Sequence, residues 1–215
     1  MDRRANRTEV ANDLSPRVRP VQARAKQTVD LILDNAGVLL DEVGVDAFNT
    51  NLLAERAGVA VRSVYRYYPN KLAVIVGLAE RQASEWQALL ARLTLPLSDP
   101  DQSACNAWDA VLDAYVSYIE AKQGRSAMHR AMQALPQLSE VNRRDNEVLA
   151  DTIYRALKTR GLRQPAGRLQ SISKVLLDTM DVAVDEALRR RGRVARPLLD
   201  ELKRMHRSYL EPYLG

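Results

Sequence analysis

The 215-residue chain is 46% hydrophobic with a formal net charge of +5 and a pI near 9.5, which suits a cored protein with a mild bias toward a polyanionic partner. No run approaches the roughly 20 apolar residues of a membrane helix, so no membrane partner is expected. The opening stretch MDRRANRTEVANDLSPRVRP has no apolar secretion core, so a cytoplasmic location is expected, and the lone Cys105 excludes an internal disulfide or Cys-x-x-Cys chemistry.

In chain order, residues 1–20 are polar and basic, broken by Pro16 and Pro20, and predict a flexible arm. A helix is predicted from about Val21 to Val43, with Val29, Ile32, Leu33, Ala36, Leu39 and Leu40 on one face and Gly44 as its stop. Asn49 is the natural N-cap of a short amphipathic helix (Leu52, Leu53, Ala54, Ala57) that stops at Gly58. A second short helix (Val61, Val64, Tyr65, Tyr67, Tyr68) closes at Pro69-Asn70. Asn70 caps a long helix through Trp86 to Leu90, ending before Pro96, and Leu97–Gln102 reads as a loop. Helices follow at about Ser103–Ala121, Ser126–Ala134, Leu138–Arg160, Ala166–Arg191 and Ala195–Leu210. Nothing alternates with period two, so the expectation is an all-α chain of about nine helices.

The paired short helices form the most informative segment. Two helices of roughly two turns each, joined by a Gly-containing turn, match the unit that places its second helix in the DNA major groove. Ala54 is small where the helices would cross, Gly58 accepts the positive φ of a tight turn, and Leu53, Val59 and Val64 would wedge the pair apart. Val61, Arg62, Ser63, Arg66 and Tyr67 are left to face outward. An ordinary αα-hairpin in a helical core would share the small-residue spacing; the aromatic ending and basic neighbours favour DNA. Four basic residues and no acid lie between Arg17 and Lys26, and Arg56, Arg62, Arg66 and Lys71 stand against Glu55 in the second basic segment.

The stretch from Phe48 through Leu53-Ala54, Ala57-Gly58-Val59, Ser63-Val64-Tyr65, Tyr67-Tyr68 and Asn70-Lys71 to about Leu78 resembles the DNA-binding domain of the tetracycline-repressor (TetR) family. The resemblance implies that Thr50 and Asn51 lie near phosphates, that Val61, Arg62 and Ser63 meet base edges, and that Tyr65, Tyr67 and Lys71 touch the DNA backbone. Ala60 departs from the family pattern, because Ser or Thr usually caps the recognition helix there and Ala cannot. Val61 and Arg62 also depart from the usual polar residue and Gly, so no base preference is carried over.

In the remainder, apolar residues from Ile172 to Leu188 cover more than one stripe, and Leu198, Leu199, Leu202, Met205, Tyr209 and Leu210 do likewise in the last helix. Burial within a monomer would produce the same pattern; the reading favoured is a homodimer through about 166–191 and 195–213, which the resemblance supports. Trp86, Trp108, Tyr115, Met128, Met132 and Tyr154 are candidate linings for an apolar or aromatic effector, against the alternative of filled core. Asp109, Asp113 and His129 are candidate polar contacts, with a solvent-facing or locally satisfied position the favoured reading for each, and the run Arg189-Arg190-Arg191 with Arg193 and Arg196 reads as a solvated loop rather than a second nucleic-acid patch. The two histidines, His129 and His206, are too far apart in sequence to suggest a metal or nucleophile site, and no Gly-rich phosphate loop occurs. No catalytic residue, metal or cofactor is expected.

The expected organisation is therefore a basic arm (1–20), a helix-turn-helix DNA-binding domain (21–69) and a helical effector-binding and dimerisation domain (70–215). The expected function is a ligand-responsive transcriptional regulator, a repressor of a palindromic operator on double-stranded DNA. The competing reading is a helical small-molecule carrier or protein-interaction module without specific DNA binding.

Overall fold

The computed structural model describes Leu14, residues 16–18, 22–121, 123–189 and 195–214. Most of the predicted arm and three arginines of the later run, Arg190, Arg191 and Arg193, lie outside these residues, as does the side chain of His129. The described residues form ten α-helices, one 3-10 turn and no strand. These are α1 (Ala23–Ala47), α2 (Thr50–Arg56), α3 (Val61–Tyr67), α4 (Lys71–Leu93), α5 (Leu95–Ser98), α6 (Ala104–Glu120), α7 (Arg125–Ala134), α8 (Ser139–Arg160), α9 (Ala166–Arg189) and α10 (Ala195–Leu214). The fold is all-α.

The caps explain several boundaries. The Asn49 side chain accepts from the Asn51 and Leu52 amides and starts α2, and Asn70 accepts from the Ala73 amide at 2.9 Å in the first turn of α4. Gly44, at φ 71 and ψ 173, interrupts the helical backbone where the sequence predicts a stop, and three further residues turn before Phe48. One expectation is corrected. Part of the predicted loop at 97–102 belongs to α5, because Pro96 sits in the first turn of that helix, where a missing N–H costs nothing.

The described residues divide into two compact units, one within Met1–Gln82 plus Lys122–Ser139 and the other within Ala83–Ala121 plus Glu140–Gly215. The first unit is built on Ile32, Leu33, Ala36, Leu39 and Leu40 of α1, with Phe48, Leu53, Val64 and Ile75, all buried. Within it, α7 packs on α1, and the turn leading into α7 comes close to the α1 backbone. A Cβ on Gly124 would lie 2.1 Å from the Gly37 carbonyl oxygen, and Gly124 itself has φ +88, so glycine is required there for both space and backbone conformation.

The second unit has one continuous core containing Trp86, Leu90, Leu97, Trp108, Ile153, Leu157, Leu176, Met180, Leu202 and Leu210. Its turn between α5 and α6 is pinned by Arg160. The guanidinium donates to the carbonyls of Asp99 and Gln102 at 2.6 and 2.7 Å, with longer contacts to those of Leu97 and Pro100. No helix among the described residues is long and apolar enough to cross a membrane.

Candidate functional site

The first unit presents α2 and α3 as a paired reading head. Gly58, at φ 63, turns the chain between them, while Leu53, Ala54 and Val64 are buried where the two helices meet. Ala60 stands at the N-cap of α3 in an extended conformation without a side-chain cap bond, as its methyl requires. The exposed surface of the head carries Asn51, Val61, Arg62, Tyr65 and Arg66, with Ser63 partly exposed. Arg56 is paired with Glu42, so its charge is already balanced within the protein. This leaves Arg62 and Arg66 as the cations of α3.

Two predicted residues take other positions. Tyr67 was expected to face outward, but it is only 4% exposed. It lies three residues after the fully buried Val64, on the same side of a 3.6-residue helix, and Arg66 lies over its ring at 5.8 Å. Thr50 is buried too, and its hydroxyl donates to the Tyr65 phenol oxygen at 3.0 Å. That bond fixes a half-exposed phenol whose own O–H remains available to an outside acceptor. Lys71 is partly buried and donates through Nζ to the Val45 carbonyl at 3.2 Å, which uses one of its three donors.

A neighbouring segment carries a feature that the motif reading missed. The Arg17 amide donates to the Tyr67 carbonyl at 2.8 Å, and Arg17 Nη1 donates to the Tyr65 carbonyl at 3.3 Å. Residues 16–18 therefore lie along the C-terminal end of α3.

The predicted effector lining does not share one unit. Met128 and Met132, on α7, are grouped with the first unit, whereas Trp86, Trp108, Tyr115 and Tyr154 belong to the second. In the second unit Trp86, Trp108 and Tyr115 are buried, and Trp86 stacks against Tyr115 and Tyr118 at 4.8 and 5.3 Å between ring centroids. The Tyr115 hydroxyl donates to Asp181 at 2.6 Å, and burial followed by the Asp181 charge raises its pKa well above the ordinary value. The Trp86 indole N–H is buried without a hydrogen-bond partner. Asp109 and Asp113 are locally satisfied, paired with Arg207 and Lys203.

His206, far from His129 in the sequence, is the centre of a polar chain that is buried at its Trp108 end. Trp108 Nε1 donates to His206 Nδ1 at 2.8 Å, and His206 Nε2 lies 2.7 Å from Thr179 Oγ1, which donates to the Val175 carbonyl at 2.6 Å. Because Nδ1 accepts, the proton resides on Nε2 and is donated to Thr179. Burial lowers the His206 pKa from 6.5 to about 4 against a smaller upward pull from Asp109. Beside this chain, Val175 and Val182 are 42% and 66% exposed, seven residues apart on one face of α9, and Met205 of α10 is exposed as well.

A family model described as "Bacterial regulatory proteins, tetR family" matches residues 32–77, and one described as "Tetracyclin repressor-like, C-terminal domain" matches residues 102–214. No curated protein matches the chain. Among solved structures, a TetR-family transcriptional regulator from Streptomyces coelicolor is 28% identical at TM-score 0.65, the match covering 86% of this chain and 99% of that one. SmeT in complex with triclosan is 22% identical at TM-score 0.63, covering 87% and 90% of the two chains. The multidrug binding protein EbrR, complexed with imidazole, is 19% identical at TM-score 0.61, covering 85% and 90%.

Proposed function

The chain belongs to the TetR family of DNA-binding transcriptional regulators, and from that premise we propose that it is a ligand-responsive homodimeric repressor, released from a palindromic operator by a small apolar or aromatic effector. The observation that carries the DNA-reading part is the outer face of α3, where Val61, Arg62, Tyr65 and Arg66 are exposed beside Asn51 and no acid occurs in the helix. Arg62 and Ser63, with Val61, meet base edges, and Arg62 supplies a bidentate fork for guanine. Asn51, Tyr65, Arg66 and Lys71 hold phosphates, with Thr50 acting through the Tyr65 phenol rather than directly. Tyr67 is withdrawn from this set by its burial.

The exposed Val175 and Val182 of α9 and Met205 of α10 support a dimer built on α9 and α10, and a two-fold operator calls for recognition helices about 34 Å apart on successive major-groove faces. The unpartnered Trp86 indole N–H, next to Tyr115 and Tyr118, supports an effector that brings a hydrogen-bond acceptor on an aromatic or apolar body. The triclosan and imidazole complexes of the structural neighbours are consistent with effectors of that kind. The reading is of a regulator acting by binding in the cytoplasm, without catalysis.

The test is selection of bound fragments from genomic DNA, followed by competition binding on a randomised half-site library. Arg62→Ala is expected to change the preferred bases and to lose about 1–3 kcal/mol on the best site. Uniform weakening without a change in preference would remove Arg62 from base reading. Failure to enrich any duplex would favour the carrier or interaction-module reading.

A further inference from the structure

The segment at residues 16–18 lies outside both family-matched regions, 32–77 and 102–214, yet it is bonded to the helix that carries the base-reading residues. Its two bonds go to the carbonyls of Tyr65 and Tyr67. Those carbonyls fall in the last turn of α3, where helix carbonyls lack intrahelical partners. Arg17 and Val18 are exposed there, next to the exposed Tyr65 and Arg66.

The geometry has a direct consequence on DNA. A helix of seven residues is about 10 Å long, and the major groove it enters is about 12 Å wide. The first residues of such a helix meet the base edges, so a segment bonded to its last carbonyls stands away from the bases, on the side of the groove wall where the phosphates run. Arg17 gives one guanidinium N–H to the Tyr65 carbonyl, and the remaining donors of its five are available to a second acceptor. A guanidinium pairs with a phosphate in bidentate, charge-assisted fashion.

We propose that Pro16-Arg17-Val18 is a second DNA-contacting element, a strap that takes the phosphate backbone of the duplex at the groove wall, with Arg17 bridging α3 and a phosphate. This rests on α3 being the DNA-reading helix. The strap contributes affinity without base preference, because phosphates carry no sequence information. It also ties the recognition helix to the DNA at the end opposite its base-reading residues.

The experiment uses full-length protein and the duplex selected from genomic fragments, with affinity measured across a series of KCl concentrations and contacts mapped by hydroxyl-radical footprinting. Arg17→Gln removes the charge and keeps the Arg17 amide bond to the Tyr67 carbonyl. It is expected to weaken binding about tenfold on every duplex and to lower the salt slope by about 1. It should also lose protection at the backbone flanking the half-site and leave base preference unchanged. Arg17→Lys should retain the slope. An unchanged slope and footprint in Arg17→Gln would overturn the proposal and leave Arg17 as a helix cap, as would a shifted base preference. Specific binding by the wild type combined with an inert Arg17→Gln defeats the strap alone, whereas no binding to any duplex defeats the DNA-reading assignment as well.

Discussion

Acidification should weaken the second unit through His206. The ring is 1% exposed, and its folded pKa of about 4 lies below the ordinary 6.5. The folded state therefore excludes a proton that the unfolded chain accepts. The stabilising contribution is complete above pH 6.5 and is lost as the pH falls toward 4. A displacement of that size corresponds to about 3 kcal/mol, a large share of the roughly 5–15 kcal/mol by which a domain is usually stable. Protonation also converts Nδ1 from acceptor to donor, so it opposes the Trp108 N–H across a 2.8 Å contact. The assay is urea unfolding at closely spaced pH values between 7 and 4, for the wild type and for His206→Asn. The Asn amide oxygen can still accept from Trp108 but has no proton to gain in this range, so the variant should start less stable and then lose less on acidification. Subtracting the two profiles cancels the carboxylates they share. Parallel profiles would refute the reasoning, because they would mean that His206 takes up no proton difference on unfolding.

Other outcomes follow from local geometry. Gly124→Ala places a methyl 2.1 Å from the Gly37 carbonyl at φ +88; a loss above about 2 kcal/mol is expected in urea unfolding. Arg160→Met removes the donors holding the carbonyls of residues 97–102, and should lose about 2 kcal/mol while accelerating amide hydrogen exchange in that turn. Ala60→Ser supplies the missing cap of α3 and should raise stability by about 1 kcal/mol in the same denaturation assay.

The features legible in the sequence were those fixed by near neighbours. Asn49 and Asn70 cap helices within three residues of themselves, and Gly58 turns the chain within one residue. Tyr67 was misjudged although the information was present: its spacing from Val64 assigns it to the buried side, while its place in a basic, aromatic stretch argued for exposure. The Trp108–His206 bond spans 98 residues, and no local pattern marks it. That Met128 and Met132 are grouped with the first unit is likewise not legible in composition. The Arg17 contacts with α3 were equally invisible, since a basic run bounded by prolines reads the same whether it is docked or free.

The contact between Gly37 and Gly124 also constrains how such regulators can be recombined. The obstruction that a side chain at position 124 would meet is main-chain atoms of Gly37, so trimming a neighbouring side chain cannot relieve it. Residues 122–139 are therefore matched to α1 although they come far later in the sequence. A chimera made by one crossover near residue 70, joining this reading head to a foreign sensor, would separate the two halves of that match. Keeping the reading head intact requires two further junctions, so that the Lys122–Ser139 segment travels with the DNA-binding helices as a single heritable cassette.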